Sequence, residues 1–442
     1  MPEPAEADPI EANPIEASPI EANTAIGRHL VDDVLAWWMA HGPDREHGGV
    51  FTCWNNAGTT RVSTDKYTWS QGRWVWLMAR VATAAARGVC AIDPTIYLAQ
   101  ARSTAAFVRD TAVRPDGTTV FVTDRAGRPT PGAGEASVFA DLFAALGFAG
   151  LAQAERVVEA PDGERWADLG ERLLATAAER IAAGTFESAP YPVPAGHASF
   201  ALPMILVGVG EQVHRATGSD RSAGIVRGAV AQIERTHLRE ADVAEMPPLV
   251  PGRDDTMLAR HRAPGHVLEA LWFLRHAADL APGNLADRLD DLCDVAVHAC
   301  RIGWDDEHGG LFRFADRDGG GEPRGRRTDD RYEALVADTW DTKLWWPHAE
   351  ALYTLALLGA QTGRADVAEW YERLRAYTMA TFPAGPGQEW IQIRRRDGSP
   401  LEATVALPVK DPFHIARALL LLVELAHDPL PPEGGRSGRV IA

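Results

Sequence analysis

Three histidines in this chain stand where a helix would begin: Gly196-His197-Ala198-Ser199, Pro264-Gly265-His266-Val267-Leu268-Glu269 and Asp411-Pro412-Phe413-His414-Ile415-Ala416-Arg417. Proline or glycine just ahead of the imidazole marks entry into a helix, so each ring is predicted in a first turn near the mouth of the fold. Spacing supplies partners, because Glu269 is i+3 from His266 and Arg417 is i+3 from His414. A helix N-terminus disfavours a protonated imidazole, and a nearby carboxylate restores it. His266 beside Glu269 is therefore expected to be tuned toward neutrality as a base, and His414 beside Arg417 to stay neutral. Two titratable groups in different surroundings can hold two acid/base roles at one pH. For any one of these histidines alone, a cap or a buried polar group is the alternative, and Glu269 alone also reads as a solvated first-turn acid.

A second group is aromatic. Arg73 lies in Trp69-Ser70-Gln71-Gly72-Arg73-Trp74, a run that an exposed helix face would not need. Rings that pack on C–H faces beside Arg, Lys and Gln donors suit a carbohydrate, with core packing as the alternative for each tryptophan. The candidate binding residues are Lys66, Trp69, Gln71, His197, Lys343, Trp345, Trp346, Glu350 and Arg417. No HExxH, Cys/His quartet or facial-triad spacing occurs, so no metal site is expected. Asp44, Glu46, Asp305, Asp306 and Glu307 read as capping or turn residues; as a carboxylate pair across a cleft they would serve a glycosidase.

These residues must be positioned by helices. Apolar residues recur at three-to-four spacing through 26–39, 67–85, 96–108, 138–151, 166–181, 200–213, 225–238, 267–280, 285–299, 332–358, 367–379 and 415–425. That is the arithmetic of six helical hairpins, and it predicts an all-α (α/α)6 toroid over residues 25–428. Short alternating runs that end in glycine turns, at 48–58, 120–127, 311–319 and 390–398, predict β-hairpins on one rim. Asp44-Arg45-Glu46-His47-Gly48-Gly49-Val50-Phe51 is echoed by Asp305-Asp306-Glu307-His308-Gly309-Gly310-Leu311-Phe312. Each copy precedes a lysine-tryptophan helix, Lys66/Trp69/Arg73 in one and Lys343/Trp346/Glu350 in the other, whose shared faces are predicted to point into a common cavity.

Composition bounds the partners. A formal charge of −17 argues against nucleic acid and anionic membranes, and a neutral ligand such as an unmodified sugar is compatible with it. Cys53, Cys90, Cys293 and Cys300 form no CxxC pair, which suits a reducing compartment, and neither a signal peptide nor a long apolar span is read; a cytoplasmic location is expected. Residues 1–24 carry a proline every five positions and acids without bases, and 429–442 are rich in proline and glycine; both are expected to be disordered tails.

The segments Lys66-Tyr67-Thr68-Trp69-Ser70-Gln71-Gly72-Arg73, Phe200-Ala201-Leu202-Pro203-Met204, 264–274 (PGHVLEALWFL), 343–351 (KLWWPHAEA) and 412–417 (PFHIAR) resemble the N-acylglucosamine 2-epimerase superfamily, in the family's order. The resemblance implies a six-hairpin toroid, with His266 and His414 as the acid/base pair, Glu269 as the family's glutamate and Arg73 as its arginine. A further histidine of the isomerase and cellobiose branches would fall near Phe200, where His197 is the neighbouring imidazole. The implied activity is interconversion of C2 epimers of an aldose or N-acylhexosamine through an enediolate. An aldose–ketose isomerase on the same site is the alternative, and a glycoside hydrolase or a non-catalytic sugar-binding protein is more distant. No cofactor is implied for the chemistry, a nucleotide such as ATP is an effector to test, and a homodimer suits a helical toroid.

Overall fold

The computed structural model describes residues 25–130 and 136–428, so the expected tails lie outside the described residues. Six helices form the inner wall: Thr68–Ala86, Val138–Val157, Ala201–Thr217, Pro264–His276, Trp345–Thr362 and Phe413–His427. Each packs on the next, and the Phe413 helix returns to the Thr68 helix, closing the ring. Outside them run Pro94–Thr111, Gly163–Ala183, Asp220–Gln232, Leu289–Gly303 and Ala365–Thr381, with a π-helical segment, His29–Leu35, that continues into Ala36–His41. The expected toroid is thus observed.

Burial explains the division. In the inner helix Val138–Val157 nearly every side chain is buried, so it is apolar all round. It is long and apolar enough to cross a membrane, yet it is packed inside the ring. The outer helix Gly163–Ala183 buries Trp166, Leu169, Leu173 and Leu174 along one stripe and leaves its other face to solvent. Outer helices carry local start signals: Asp93 accepts from the Thr95 amide ahead of Pro94, and Ser219 accepts from the Arg221 and Ser222 amides.

One sequence expectation changes and another is extended. Residues 332–358 are not one helix; they form Arg331–Thr339 and Trp345–Thr362, separated by a turn and the strand Lys343–Leu344. The β-rich segments do turn locally, with Trp54 bridged to Arg61, Thr123 to Pro129 and Arg394 to Pro400, and they also pair at long range. Lys66–Tyr67 pairs antiparallel with Val122–Thr123, His261–Arg262 with Ala315–Asp316, and Lys343–Leu344 with Ile393–Arg394. In each pair one strand leads directly, or within one residue, into an inner helix, so the rim pairing fixes where that helix starts. The local hairpin among these pairs is Leu238–Arg239 with Asp242–Val243.

Candidate active site

A cleft enclosing about 1400 Å³, with the solvent at its mouth included, opens at the end of the ring where these inner helices begin. Trp69, Arg73, His266, Glu269, Trp345, Trp346 and His414 line it. Two close approaches make the geometry. A Cβ on Gly265 would lie 2.7 Å from Trp346 and Pro347, so only glycine lets the His266 turn sit against Trp346. A Cβ on Gly72 would lie 2.1 Å from the Phe143 carbonyl, so glycine beside Arg73 lets two inner helices touch backbone to backbone.

His266 does occupy the first turn of its helix, but its partner is not Glu269. Its Nδ1 lies 3.0 Å from Glu245 Oε1, a buried carboxylate on the loop that follows the Asp242–Val243 strand. Burial works against a charged imidazole here, yet the Glu245 carboxylate outweighs it and lifts the His266 pKa above its ordinary value. Burial also opposes charge on Glu245, and His266 holds its pKa below the usual carboxylate range. The His266 ring centroid is 5.1 Å from that of Trp346.

His414 also neighbours Trp346, at 5.8 Å between centroids. Its Nδ1 lies 2.8 Å from Glu350 Oε1, and its Nε2 is 3.9 Å from Asp411 Oδ2. Glu350 also accepts from Trp272 Nε1 at 2.7 Å and from Arg417 Nη2 at 2.7 Å. Arg417 donates to Glu269 as well, so Glu269 is tied to Arg417 and lies 3.8 Å from His414 Nδ1, not against His266. Ligand atoms of Glu269, Glu350 and His414 lie within 4.8 Å of one another, a spacing that could suit a metal, but the Arg417 guanidinium already bonds both carboxylates.

Arg73 stacks its guanidinium 4.0 Å from the Phe143 ring centroid and 5.0 Å from that of Trp69. Its nearest ion-pair oxygen is Asp411 Oδ1 at 3.8 Å, too long for a hydrogen bond, and its buried Nε has no partner. Burial draws its pKa down to about 10, with Asp411 and Glu269 opposing, so it stays charged at neutral pH. The cleft therefore presents two imidazoles, each tied at Nδ1 by its own carboxylate, and a cation with donors to spare.

Residues 49–418 match the N-acylglucosamine 2-epimerase (GlcNAc 2-epimerase) family. The chain belongs to this family. The N-acylglucosamine 2-epimerase of Bos taurus is 29% identical over 424 residues, covering 92% of this chain and 91% of the bovine one. That of Homo sapiens is 29% identical over 413 residues, covering 90% and 89%. Among solved structures, the cellobiose 2-epimerase of Bacillus thermoamylovorans superposes with a TM-score of 0.70 at 15% identity, covering 91% of this chain and 99% of that one. A D-mannose isomerase superposes at 0.68 and 16%, covering 91% and 97%. At those identities the superpositions speak for the toroid alone. Membership in the family makes the protein a carbohydrate 2-epimerase, an enzyme of the isomerase class.

Several expected binding residues stand behind the cleft rather than in it. Lys66 is fully buried, its Nζ bonded to Asp44 Oδ2 at 3.0 Å and to the carbonyls of Gly48 and Arg125. Lys343 is fully buried too, bonded to Asp305 Oδ2 at 3.0 Å. Gln71 clamps Val50 through both its amide hydrogen and its carbonyl, at 2.8 Å each. A buried lysine needs a counter-charge more than a sugar, and these positions supply one internally. Glu350 and Arg417 sit behind His414, where they orient it. His197 lies in a loop four residues before its helix and is buried with Nδ1 toward the Ala195 carbonyl. Burial lowers its pKa, and Ser199 and Ala201 line the cleft in its place.

Sequence reasoning missed Glu245, which lies 21 residues before His266 in an irregular loop with no periodic signal. Asp411 left a signal, since it sits i−3 from His414 at a helix start and accepts from the His414 amide at 3.2 Å.

Proposed function

We propose that the protein interconverts the C2 epimers of an N-acylhexosamine or aldose by proton transfer between His266 and His414. The open-chain sugar presents its C1 carbonyl to Arg73. One imidazole takes the C2 proton through Nε2, the C–H electron pair forms the C1–C2 double bond, and negative charge collects on the C1 oxygen. Arg73, with unused donors and aromatic walls that exclude water, stabilises that oxygen. The other imidazole, protonated, delivers a proton to the opposite face of C2, and the carbonyl re-forms. The protein ends in the mirror protonation state, so the next turnover in the reverse direction exchanges the roles. Trp69, Trp345 and Trp346 pack on the sugar, and no cofactor is needed to move either proton.

What carries this reading is the pair of separate Nδ1–carboxylate contacts, His266 with Glu245 and His414 with Glu350, with both imidazoles beside one tryptophan. Each contact fixes the ring and leaves Nε2 for the substrate. The raised pKa of His266 makes it the acid in one direction, with His414 as base. Proton NMR in deuterated water with N-acetylglucosamine, N-acetylmannosamine, mannose and glucose, each with and without ATP, tests the scheme. Deuterium at C2 together with a new C2 epimer is the expected result, and a ketose would move the assignment to the isomerase. His266→Asn and His414→Asn are each expected to slow exchange by about 10²–10⁴-fold with far-UV dichroism unchanged. Wild-type exchange in either variant would remove that histidine from the mechanism.

A further inference from the structure

Each basic group around the cleft has a carboxylate neighbour, with one exception. Glu245 faces His266, Glu269 and Glu350 face Arg417, and Asp411 stands nearest Arg73. Arg313 has no such partner: among the described residues, no carboxylate oxygen lies within 4.0 Å of its guanidinium, although its side chain is 7% exposed and lines the cleft. Its contacts are neutral. Nη1 donates to Thr339 Oγ1 at 3.0 Å, and the guanidinium carbon is 5.1 Å from the Phe314 ring centroid. Burial pulls its pKa down, and the groups that oppose this are the Tyr191 and Tyr332 hydroxyls rather than an acid. A buried cation without a counter-charge is costly, and natural sites keep one where a ligand completes the pair.

The internal repeat sharpens the point. Arg313 follows Gly309-Gly310-Leu311-Phe312, and its counterpart after Gly48-Gly49-Val50-Phe51 is Thr52. The rim strands do not require arginine at this place, since the first copy is built without it. Arg313 stands among Tyr191, Phe314 and Tyr332, a different wall from the Trp69, Phe143 and Phe413 surface that holds Arg73. It also borders a neighbouring outer pocket, of about 880 Å³ with open solvent included, giving a long substituent room to extend.

We propose that Arg313 is a specificity-determining residue that binds an oxyanion, a carboxylate or phosphate, carried by the sugar at a carbon other than C1 and C2. This rests on the C2-epimerase reading of the same cleft. The net charge of −17 opposes long-range attraction of such a substrate, so the selectivity arises at contact. A forked guanidinium presents paired donors that match either oxyanion.

The test has a kinetic and a binding arm. Initial rates of C2 exchange are compared for glucose, glucuronate and glucose 6-phosphate in the wild type, Arg313→Met and Arg313→Lys. The expected wild-type ratio of kcat/KM, better anionic sugar over neutral, is roughly ten- to a hundred-fold, and which anion wins names the source of the charge. In Arg313→Met the ratio falls toward one. In Arg313→Lys, which keeps charge but loses the fork and guards against a folding defect in the first variant, it stays between the two. Calorimetric binding of glucitol 6-phosphate against glucitol, neither with a carbonyl to react, reads the same preference without chemistry. Equal treatment of neutral and anionic ligands by the wild type, or a preference that survives Arg313→Met, overturns the proposal. Tight, Arg313-dependent binding of glucitol 6-phosphate without C2 exchange in any sugar would sink the epimerisation scheme and leave the oxyanion site standing.

Discussion

The two halves of the rim hold almost the same clamp. In the first, Lys66 Nζ meets Asp44 Oδ2 at 3.0 Å, Arg125 grips both Asp44 oxygens at 2.9 and 3.0 Å, and Gln71 accepts from the Val50 amide at 2.8 Å. In the second, Lys343 Nζ meets Asp305 Oδ2 at 3.0 Å, Arg396 grips both Asp305 oxygens at 2.8 and 3.0 Å, and His348 accepts from the Leu311 amide at 2.8 Å. Each ammonium also lies 4.2 Å from a phenylalanine ring centroid, Phe107 or Phe312. The halves part company two helical turns further on, where the seventh residue after the lysine is Arg73 in one and Glu350 in the other. A repeated frame thus carries a cation in the cleft in one copy and a carboxylate against the His414 imidazole in the other, and in the proposed scheme that cation meets the developing charge. Like frame does not mean like chemistry.

That comparison can be broken first at the frame. Lys66→Met and Lys343→Met each take the ammonium from a buried aspartate that keeps its arginine, and each is expected to cost about 1.5–3 kcal/mol in urea unfolding. The two losses should agree within about 1 kcal/mol, and a marked inequality would show that the clamps are alike only in geometry. Next comes Arg73→Met, expected to lower kcat about 10²–10³-fold while the melting temperature changes little. Glu350→Gln, which acts through His414, Arg417 and Trp272, should lower kcat by about 10–100-fold with KM nearly constant. If Glu350→Gln were the more damaging of the two, the division between charge stabilisation and positioning would fail.

The smallest effect is a displacement rather than a loss. Glu245→Gln removes the main group that raises the His266 pKa, leaving Glu269 to oppose burial and Arg313, which both lower it. The imidazolium is then lost at a lower pH, so the alkaline limb of kcat, in the direction where His266 is the acid, should move downward. An unmoved limb in a pH–rate series would mean that Glu245 does not govern that proton.

Much of this was legible in the residues. Helices with a single buried stripe, such as Gly163–Ala183, announce themselves by period, and glycine or proline marks the starts at His266 and His414. The break at Thr339–Leu344 was hidden because apolar spacing runs on across it; it exists because Lys343–Leu344 pairs with Ile393–Arg394, about fifty residues away. Lys66 and Lys343 were read as cleft residues because a lysine on a tryptophan-bearing helix face looks the same whether it faces ligand or aspartate. Glu269 and Glu245 exchanged places for a related reason. Sequence spacing shows which carboxylate shares a helix with His266, whereas the contact is made by one arriving from a separate loop.

Closure of the ring has a consequence for how the protein comes into being. Arg73 belongs to the first inner helix and His414 to the last, and the joint between the ends is stitched by Lys410 donating its amide to the Thr52 carbonyl at 2.7 Å and by Asn56 accepting from the Gln392 amide at 2.8 Å. Contacts that span more than three hundred residues form late, because the intervening chain must first be gathered. A growing polypeptide on the ribosome therefore carries Arg73 for most of its synthesis, and His266 for the later part of it, without assembling either with His414. Activity should appear abruptly when the final helix leaves the exit tunnel and docks, and in vitro refolding should recover tryptophan burial before it recovers turnover.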